Sequence, residues 1–488
     1  MAWLYRYECK GIQSWILAGG KLRDIVAASD LIEDIGSRRS DLGCAGTVVN
    51  EAAGGATLTF EKREHLERFA SLWPMHMDAY APGLQVVQAW VPLSQDGGDD
   101  WRHDWSELQK QLAMARQRLF PDLPQAGPLV EIAGRTGEPA WAVLRGTSDQ
   151  GQLLDRAGVR KSGSQSRRAA LAERFRPEGG HWEFAQDDKD MDGQVVAVVH
   201  ADGNRIGEWI QGNPLSHEGF RRFSDGLTAA NQAAVQSATR SLADHVAGGS
   251  DVRRLPMRPV VLGGDDVTIV INAKHAVPWV AAYLQAFEAE TKDRLGEMTQ
   301  NKGFTACAGI AFCKLHWPFV QALEVAESLC RAAKVAGRKA DKTQSTVQWH
   351  RILGTTETDW EVLKETELAG GRLVGGPWTI KGLERLAKLS RVLEERDVPK
   401  GAIRRWIDEF GPRDNTMAAK DLWERTSIVT ASRPKSPWPD FQEALESCGA
   451  SAENGCFDDR NATPLYDALT WARMQHSPGL WTPAKVTQ

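Results

Sequence analysis

Apolar and polar positions change period several times along the chain, and the clearest pattern runs from Val195 to about Arg338. Gln194-Val195-Val196-Ala197-Val198-Val199-His200-Ala201 is a nearly continuous apolar run, the signature of a strand covered on both faces. It ends in the polar, Gly-containing loop Asp202-Gly203-Asn204-Arg205-Ile206-Gly207, which opens a helix. Helical periodicity follows around Gly219–Val246 and again over Val277–Leu295. Between these helices, Pro259–Leu262 and Val267–Ile271 flank Gly263-Gly264-Asp265-Asp266. β-Branched residues on either side of a tight Gly turn predict a hairpin. Phe304–Phe312 predicts a further strand, and Pro318–Ala336 a closing helix.

The resulting order, β-α-α-β-β-α-β-α, suits a ferredoxin-like or palm sheet with helices on one face. The N-terminal third repeats it in degraded form. Trp3–Glu8 predicts a strand, residues from Ile12 to about Ile35 helix, Thr47–Asn50 and Gly54–Phe60 two strands, Glu61–Ala79 helix and Leu84–Leu93 a last strand. Set against Gly263-Gly264-Asp265-Asp266-Val267-Thr268, the segment Gly54-Gly55-Ala56-Thr57-Leu58-Thr59 aligns two glycines and a Thr but replaces both carboxylates. Either the palm is duplicated and the first copy has lost its acids, or two Gly-Gly hairpins are alike by chance. The expected fold class is α/β (α+β): two ferredoxin-like palm domains plus a C-terminal helical domain. Its expected parts are a degenerate first palm (1–120), a connector (121–190), a second palm (191–350) and the helical domain (351–488). In the connector, Lys161, Arg167 and Arg168 form a short basic cluster, read as a solvated face or as an RNA or partner contact.

The 488 residues carry a formal charge of −5, and with a pI of about 6.2 this excludes broad coating of nucleic acid while permitting a local basic groove. The chain shows neither a signal peptide nor a long apolar run, so a soluble, cytoplasmic protein without membrane contact is expected. Seven cysteines without a C-x-x-C pair argue against a disulfide framework or a zinc ribbon, and Cys307 and Cys313 read as core. The 19 Trp read chiefly as packing, with base stacking the alternative for a few. Gly97-Gly98-Asp99-Asp100 spells the hairpin tetrapeptide a second time, but no strand follows it. It reads as a loop leading to a helix that starts near Asp104 or Ser106.

Adjacent carboxylates repel, and a divalent cation is the usual way to make such a pair favourable. Asp202, at the carboxyl end of the first strand of the second palm, is placed to join Asp265 and Asp266; alone it could equally be a helix N-cap. Magnesium, or manganese, prefers oxygen ligands and commonly takes only one or two carboxylates, completing its shell with water and phosphates. Gly263 and Gly264 would let a triphosphate lie against the hairpin backbone, or they simply satisfy the turn. Lys334 and Arg338, four apart on a helix, could bind phosphates or form an ordinary basic helix end.

Taken together, Asp202-Gly203-Asn204-x-x-Gly207, the GGDD hairpin, the strand ending Ala308-Gly309-Ile310, and Ala326-Glu327-Ser328-Leu329 running to Ala333-Lys334 resemble the palm of the large subunit of type III CRISPR effectors. The opening Gly11-Ile12-Gln13-Ser14-Trp15-Ile16 and Lys21–Ser29 are similar to that family's first palm, especially in its Cmr-type branch. The resemblance covers both palms and extends toward the helical domain. It implies synthesis of cyclic oligoadenylates from ATP between the palms, as part of antiviral defence. Asp202, Asp265 and Asp266 would hold Mg²⁺ or Mn²⁺; Gly263, Gly264, Gly203, Asn204, Lys334 and Arg338 would line the nucleotide, and Ser29 would touch a base. It also implies crRNA or target RNA and other effector subunits as partners. The helix Ala333-Lys334-x-x-Gly337-Arg338 resembles diguanylate cyclases too, which keeps a stand-alone cyclic dinucleotide synthase, acting as a homodimer, in view. A catalytically idle scaffold subunit is the alternative from another class. Because the sequence opens directly at the first palm and has no cysteine cluster, a compact form is expected, without the family's HD nuclease or zinc module.

Overall fold

The computed structural model describes residues 2–19, 21–43, 46–52, 54–94, 99–118, 127–143, 151–163, 170–177, 182–213, 215–247, 254–338, 343–354, 357–395, 398–410, 416–433 and 436–474. Arg167, Arg168, Gly97 and Gly98 lie outside them.

The first palm comprises β1 (Trp3–Lys10), α1 (Ile12–Leu17), α2 (Leu22–Glu33), β2 (Thr47–Ala52), β3 (Gly55–Phe60), α3 (Arg63–Tyr80) and β4 (Gln85–Pro92). Its antiparallel sheet has the order β2-β3-β1-β4. Helix α3 buries Leu66, Phe69, Ala70, Trp73, Met77 and Tyr80, the three-and-four spacing of a single apolar stripe. Phe69 meets Tyr5 edge-on at 5.4 Å between ring centroids, and Trp73 lies 4.8 Å from Tyr7. The other face of the sheet is also covered. Leu108 and Leu112 of α4 (Asp99–Arg116) pack on Leu4, Val87, Ala89 and Val91. This corrects the expected helix start near Asp104: Asp99 and Asp100 already open α4, and Asp104, within the helix, accepts hydrogen bonds from the Ser94 amide and hydroxyl. The two acids of the second tetrapeptide therefore belong to a helix.

The connecting region is more structured than a solvated linker. It holds β5 (Ala142–Val143) paired with β6 (Leu153–Leu154), then α5 (Arg156–Gly163), α6 (Ala170–Phe175) and β7 (Glu183–Phe184). Lys161 is 3% exposed, donates to the Trp15 carbonyl and sits 4.3 Å over the Trp15 ring. Its share of the basic cluster is thus a buried packing contact rather than a solvated one.

The second palm contains β8 (Val195–Gly203), α7 (Ile206–Gly212), α8 (His217–Ala247), β9 (Arg254–Leu255, paired with β7), β10 (Met257–Gly263), β11 (Asp266–Asn272), α9 (Ala273–Leu295), β12 (Ala306–Lys314), α10 (Phe319–Arg338) and β13 (Thr346–Arg351). The order β10-β11-β8-β12 repeats that of the first palm. Irregularities repeat as well. The hairpin ladder shifts register between Pro259 and Val261 in one palm and between Val48 and Asn50 in the other.

These pairings fix the correspondence between the copies. Thr268 lies opposite His200 and Val261, and Thr57 opposite Arg6 and Asn50. Asp266 lies opposite Asp202 and Gly263, and Gly55 opposite Glu8 and Ala52. The alignment read from the letters is therefore out by two residues. Gly54 and Gly55 stand where the second palm has Asp265 and Asp266, and Glu8 occupies the place of Asp202. A two-residue slip preserves the side-chain face of a strand, so hydrophobic pattern alone could not detect it.

The sheet continues beyond the expected boundary at 350. β13 adds in parallel beside β12, and β14 (Trp378–Thr379), which follows α11 (Trp360–Glu367), adds antiparallel to β13. β13 reads as polar, yet Thr346, Gln348 and His350 are all at most 4% exposed because α10 and α11 cover that face, while Trp349 on the other face meets Trp471 of the C-terminal helices. These are α12 (Ile380–Glu394), α13 (Lys400–Phe410), α14 (Thr416–Ala431), α15 (Trp438–Ser447) and α16 (Leu465–Met474). The helical part is thus built onto the palm sheet.

Candidate metal and nucleotide site

The acids gather at one end of the second sheet because three local rules coincide. β8 is apolar but for His200 until Asp202, so this interior strand reaches the end of the sheet with a carboxylate. Gly263 and Asp266 close the β10–β11 ladder, leaving Gly264 and Asp265 as a two-residue turn, and Gly264 adopts φ 53°, which favours glycine. Asp266 then begins β11 directly across from Asp202. Gly203 completes the arrangement: a Cβ there would stand 2.7 Å from Asp265 Oδ2 and 2.9 Å from Asp265 Cβ. Its absence leaves room for the Asp265 side chain.

Helix α10 supplies the counter-charge. Gly309 on β12 lets it approach closely, since a Cβ at that position would fall 1.9 Å from the Ala326 carbonyl oxygen. Glu327 and Lys334, two turns apart on α10, share the face nearest the acids. Lys334 Nζ donates to Asp202 Oδ2 and, at 3.1 Å, to the Gly203 carbonyl. Burial pulls the Lys334 pKa down, but the Asp202 carboxylate outweighs it and the net shift is upward.

The charge balance remains acidic. Burial, then the Asp202 charge, pushes Asp265 up to about 8. Asp266 is raised well above the usual carboxylate range, again first by burial and then by Asp202 and Glu327, with Lys334 and Gln13 opposing. Asp266 Oδ1 is buried without a hydrogen-bond partner, although His200 Nδ1 stands 3.4 Å away. Burial holds the His200 pKa low, so a neutral ring gives little compensation.

A divalent cation fits this donor set: clustered hard oxygens, an orphaned carboxylate oxygen and too little positive charge. Among the described residues, however, no group of three or more His, Cys, Asp or Glu side chains is arranged as a metal cage. Asp202 is engaged by Lys334, and Asp266 Oδ2 accepts from Gln13 Nε2 at 2.8 Å. Magnesium needs only one or two of these carboxylates, which removes the conflict.

Asp202, Asp265, Asp266, Gly203, Gly263, Gly264 and Lys334 therefore come together. Asn204 has a different place: it is 4% exposed, and its side chain donates to Thr305 Oγ1 at 2.9 Å, tying the loop to the start of β12. Arg338 is half exposed and pairs with Glu208 at 3.3 Å. Ser29 is 1% exposed and donates to the Ile25 carbonyl one turn back, within α2 rather than on an open surface.

Three contributors are not among the residues expected from the sequence. Gln13 comes from α1 of the first palm and stands in the sequence only as part of its opening motif. Glu327 stands in the sequence only as part of a longer motif. Asn231 of α8 is 1% exposed and donates to the Gly264 carbonyl at 2.9 Å, while its Oδ1 accepts from Tyr283, so it pins the turn from beneath. None carries a local signal of its own, because each meets the hairpin only through the fold.

Duplicated ferredoxin-like topology with carboxylates on one hairpin defines a palm-domain protein. Residues 195–342 match the family described as Cas10/Cmr2, second palm domain. Solved structures share the fold. A Csm1–Csm4 cassette in complex with cA4 matches at 16% identity and a TM-score of 0.54, covering 97% of this chain and 70% of that one. A Csm1–Csm4 subcomplex of the type III-A CRISPR-Csm interference complex matches at 15% identity and a TM-score of 0.53, covering 97% and 69%. The cassette in complex with AMPPNP matches at 15% identity and a TM-score of 0.52, with the same coverage. No curated protein matches the sequence. The family match thus covers the second palm, and the chain as a whole shares the fold of the Csm1–Csm4 structures. No helix among the described residues is long and apolar enough to cross a membrane.

Proposed function

We propose that the chain is a metal-dependent nucleotidyltransferase that joins ATP into cyclic oligoadenylates. The observation that carries this reading is the carboxylate cluster of Asp202, Asp265 and Asp266 facing Lys334 in one palm while Gln13 reaches it from the other. Solved relatives of the same fold hold cA4, AMPPNP or ATP in complexes of Csm1 with Csm4, which favours ATP as substrate and further effector subunits as partners. Asp265 and Asp266, with Asp202, would hold Mg²⁺ or Mn²⁺, which when bound supplies positive charge to the attacking hydroxyl and the leaving pyrophosphate.

The remaining work falls to the chain itself. Lys334 is placed to exchange Asp202 for a phosphate oxygen without leaving its position. The space where a Gly264 Cβ would stand is open, so a triphosphate can approach the turn closely. Asn231 fixes the turn, and Gln13 orients the Asp266 carboxylate from across the palm junction. The first palm, with Gly54 and Gly55 in place of the two acids, serves as the non-catalytic half.

Purified protein supplied with the four NTPs and Mg²⁺ or Mn²⁺, with and without RNA, is expected to release pyrophosphate and form adenylate-linked products identifiable by mass spectrometry. Combined Asp265→Ala and Asp266→Ala should abolish both. Equal turnover in that variant would sink the proposal, and cyclic dinucleotides as products would redirect it. A scaffold reading is favoured by one observation, that Lys334 and Gln13 already occupy two of the carboxylates. Copurifying RNA and subunits without calorimetric ATP binding would support it.

A further inference from the structure

A second cavity lies away from the carboxylates, between the outer side of α10, the end of β13, α11 and the segment leading into β14. Its volume is about 740 Å³, within the range of small-molecule sites. Helix periodicity separates it from the acid site. Ser328, Arg331, Ala332 and Val335 line the cavity, whereas Glu327 and Lys334 turn toward the acids.

Its lining is chemically uneven in an informative way. Four cationic side chains, Arg331, Lys364, Arg372 and Arg460, face it against two carboxylates, Asp359 and Glu361. Both carboxylates are committed: Asp359 caps α11 by accepting from the Glu361 and Val362 amides, and Glu361 pairs with Lys364 at 2.5 Å. Arg460 is held by Asp458 and the Gly375 carbonyl. Arg331 forms no ion pair with a described residue, so its guanidinium remains available at the cavity wall.

Two features point to more than a bare anion. Ala332, Val335 and Pro377 give an apolar wall, and Val335 keeps 54% of its surface exposed there. Gln348, 1% exposed, lines the cavity; its Nε2 donates to the Trp349 carbonyl, but its Oε1 is buried without a hydrogen-bond partner. Such an atom is costly unless a donor reaches it. We infer that this cavity is a second binding site that takes a nucleoside phosphate. Its phosphate would lie on Arg331, its ring against Val335 and Ala332, and a ring or sugar donor on Gln348 Oε1.

The inference is independent of turnover at the carboxylates, and its test avoids them. The full chain carrying Asp265→Asn and Asp266→Asn, in EDTA, is titrated calorimetrically with ATP, GTP, CTP, UTP, AMP, adenosine and orthophosphate. At least one nucleoside phosphate should bind with one-to-one stoichiometry, while the matching nucleoside and orthophosphate bind about tenfold more weakly or worse. Arg331→Glu, an exposed change, should weaken binding by a similar factor without lowering the Tm. Photolabelling with 8-azido-ATP should mark residues 328–336 or 370–377. Absence of binding by every nucleotide tested would overturn the site, as would unchanged affinity in Arg331→Glu or label confined to the β10–β11 hairpin.

Discussion

Gly203 shows how one missing methyl group positions the carboxylates. Its hypothetical Cβ would collide with Asp265 and would also stand 2.4 Å from Ile206 Cδ1. Gly203→Ala is therefore expected to displace Asp265 and destabilise the fold by about 1–3 kcal/mol. In enzyme assays, pyrophosphate release should fall by far more than folded fraction, and a variant with full activity would show that Asp265 has room elsewhere. At this scale the sequence is legible where the signal is local. The acids, the glycine turn and Lys334 are all visible as letters with fitting neighbours. Asn204 is not, because its contact, Thr305, is remote in sequence, and Ser29 is not, because a buried helical hydroxyl and an exposed one look alike in a sequence.

Elements are legible in proportion to the purity of their period. β8, β10, β11, β12, α9 and α10 lie close to their expected positions, since a continuous apolar run suits a buried strand and a 3.6-residue stripe suits a helix packed on one side. β13 does not, because Gln348 and His350 are polar residues that only the packing of α10 and α11 buries. α10 rests on β12 through Gly309, and this contact is the most sensitive joint between an element and the site. Gly309→Ala would press against the Ala326 carbonyl and, at 2.6 Å, the Cys330 amide nitrogen, both backbone atoms of α10. About 3 kcal/mol or more of stability should be lost, read by chemical denaturation, because a helix backbone cannot give way as a side chain can.

Across the whole molecule, the palms are tied together by the region expected to be a mere connector. Arg174 of α6 pairs with Glu33 of α2 at 3.0 Å and donates to the Leu262 carbonyl of β10 at 3.0 Å. Glu33 is largely buried, and burial raises its pKa. Arg174→Ala should thus strand a buried carboxyl and loosen the hairpin, costing roughly 1–3 kcal/mol and reducing activity with every acid still present. An unchanged Tm would show the strap to be dispensable.

A second tie lies in the C-terminal part. Asp467 of α16 accepts from the Gly375 and Gly376 amides and from Trp378 Nε1, and burial raises its pKa from 3.8 to about 7 despite these bonds. A raised carboxyl favours the folded state at low pH and loses that contribution as pH climbs from 3.8 to about 7. Asp467→Asn should accordingly gain Tm relative to the parent protein between pH 5 and pH 8. A constant difference would contradict the assignment.

By itself the sequence determined the hairpin, its acids, the paired palm topology and the helix bearing Lys334, because turn chemistry and hydrophobic period act over a few residues. Tertiary structure decided which acid sits opposite which, that Glu8 stands where the second palm has Asp202 and Gly54 and Gly55 where it has Asp265 and Asp266, that Gln13 crosses between the palms, and that β13 continues the sheet. Those features depend on strand register and on surfaces meeting across long loops, and a strand slipped by two residues buries the same face either way.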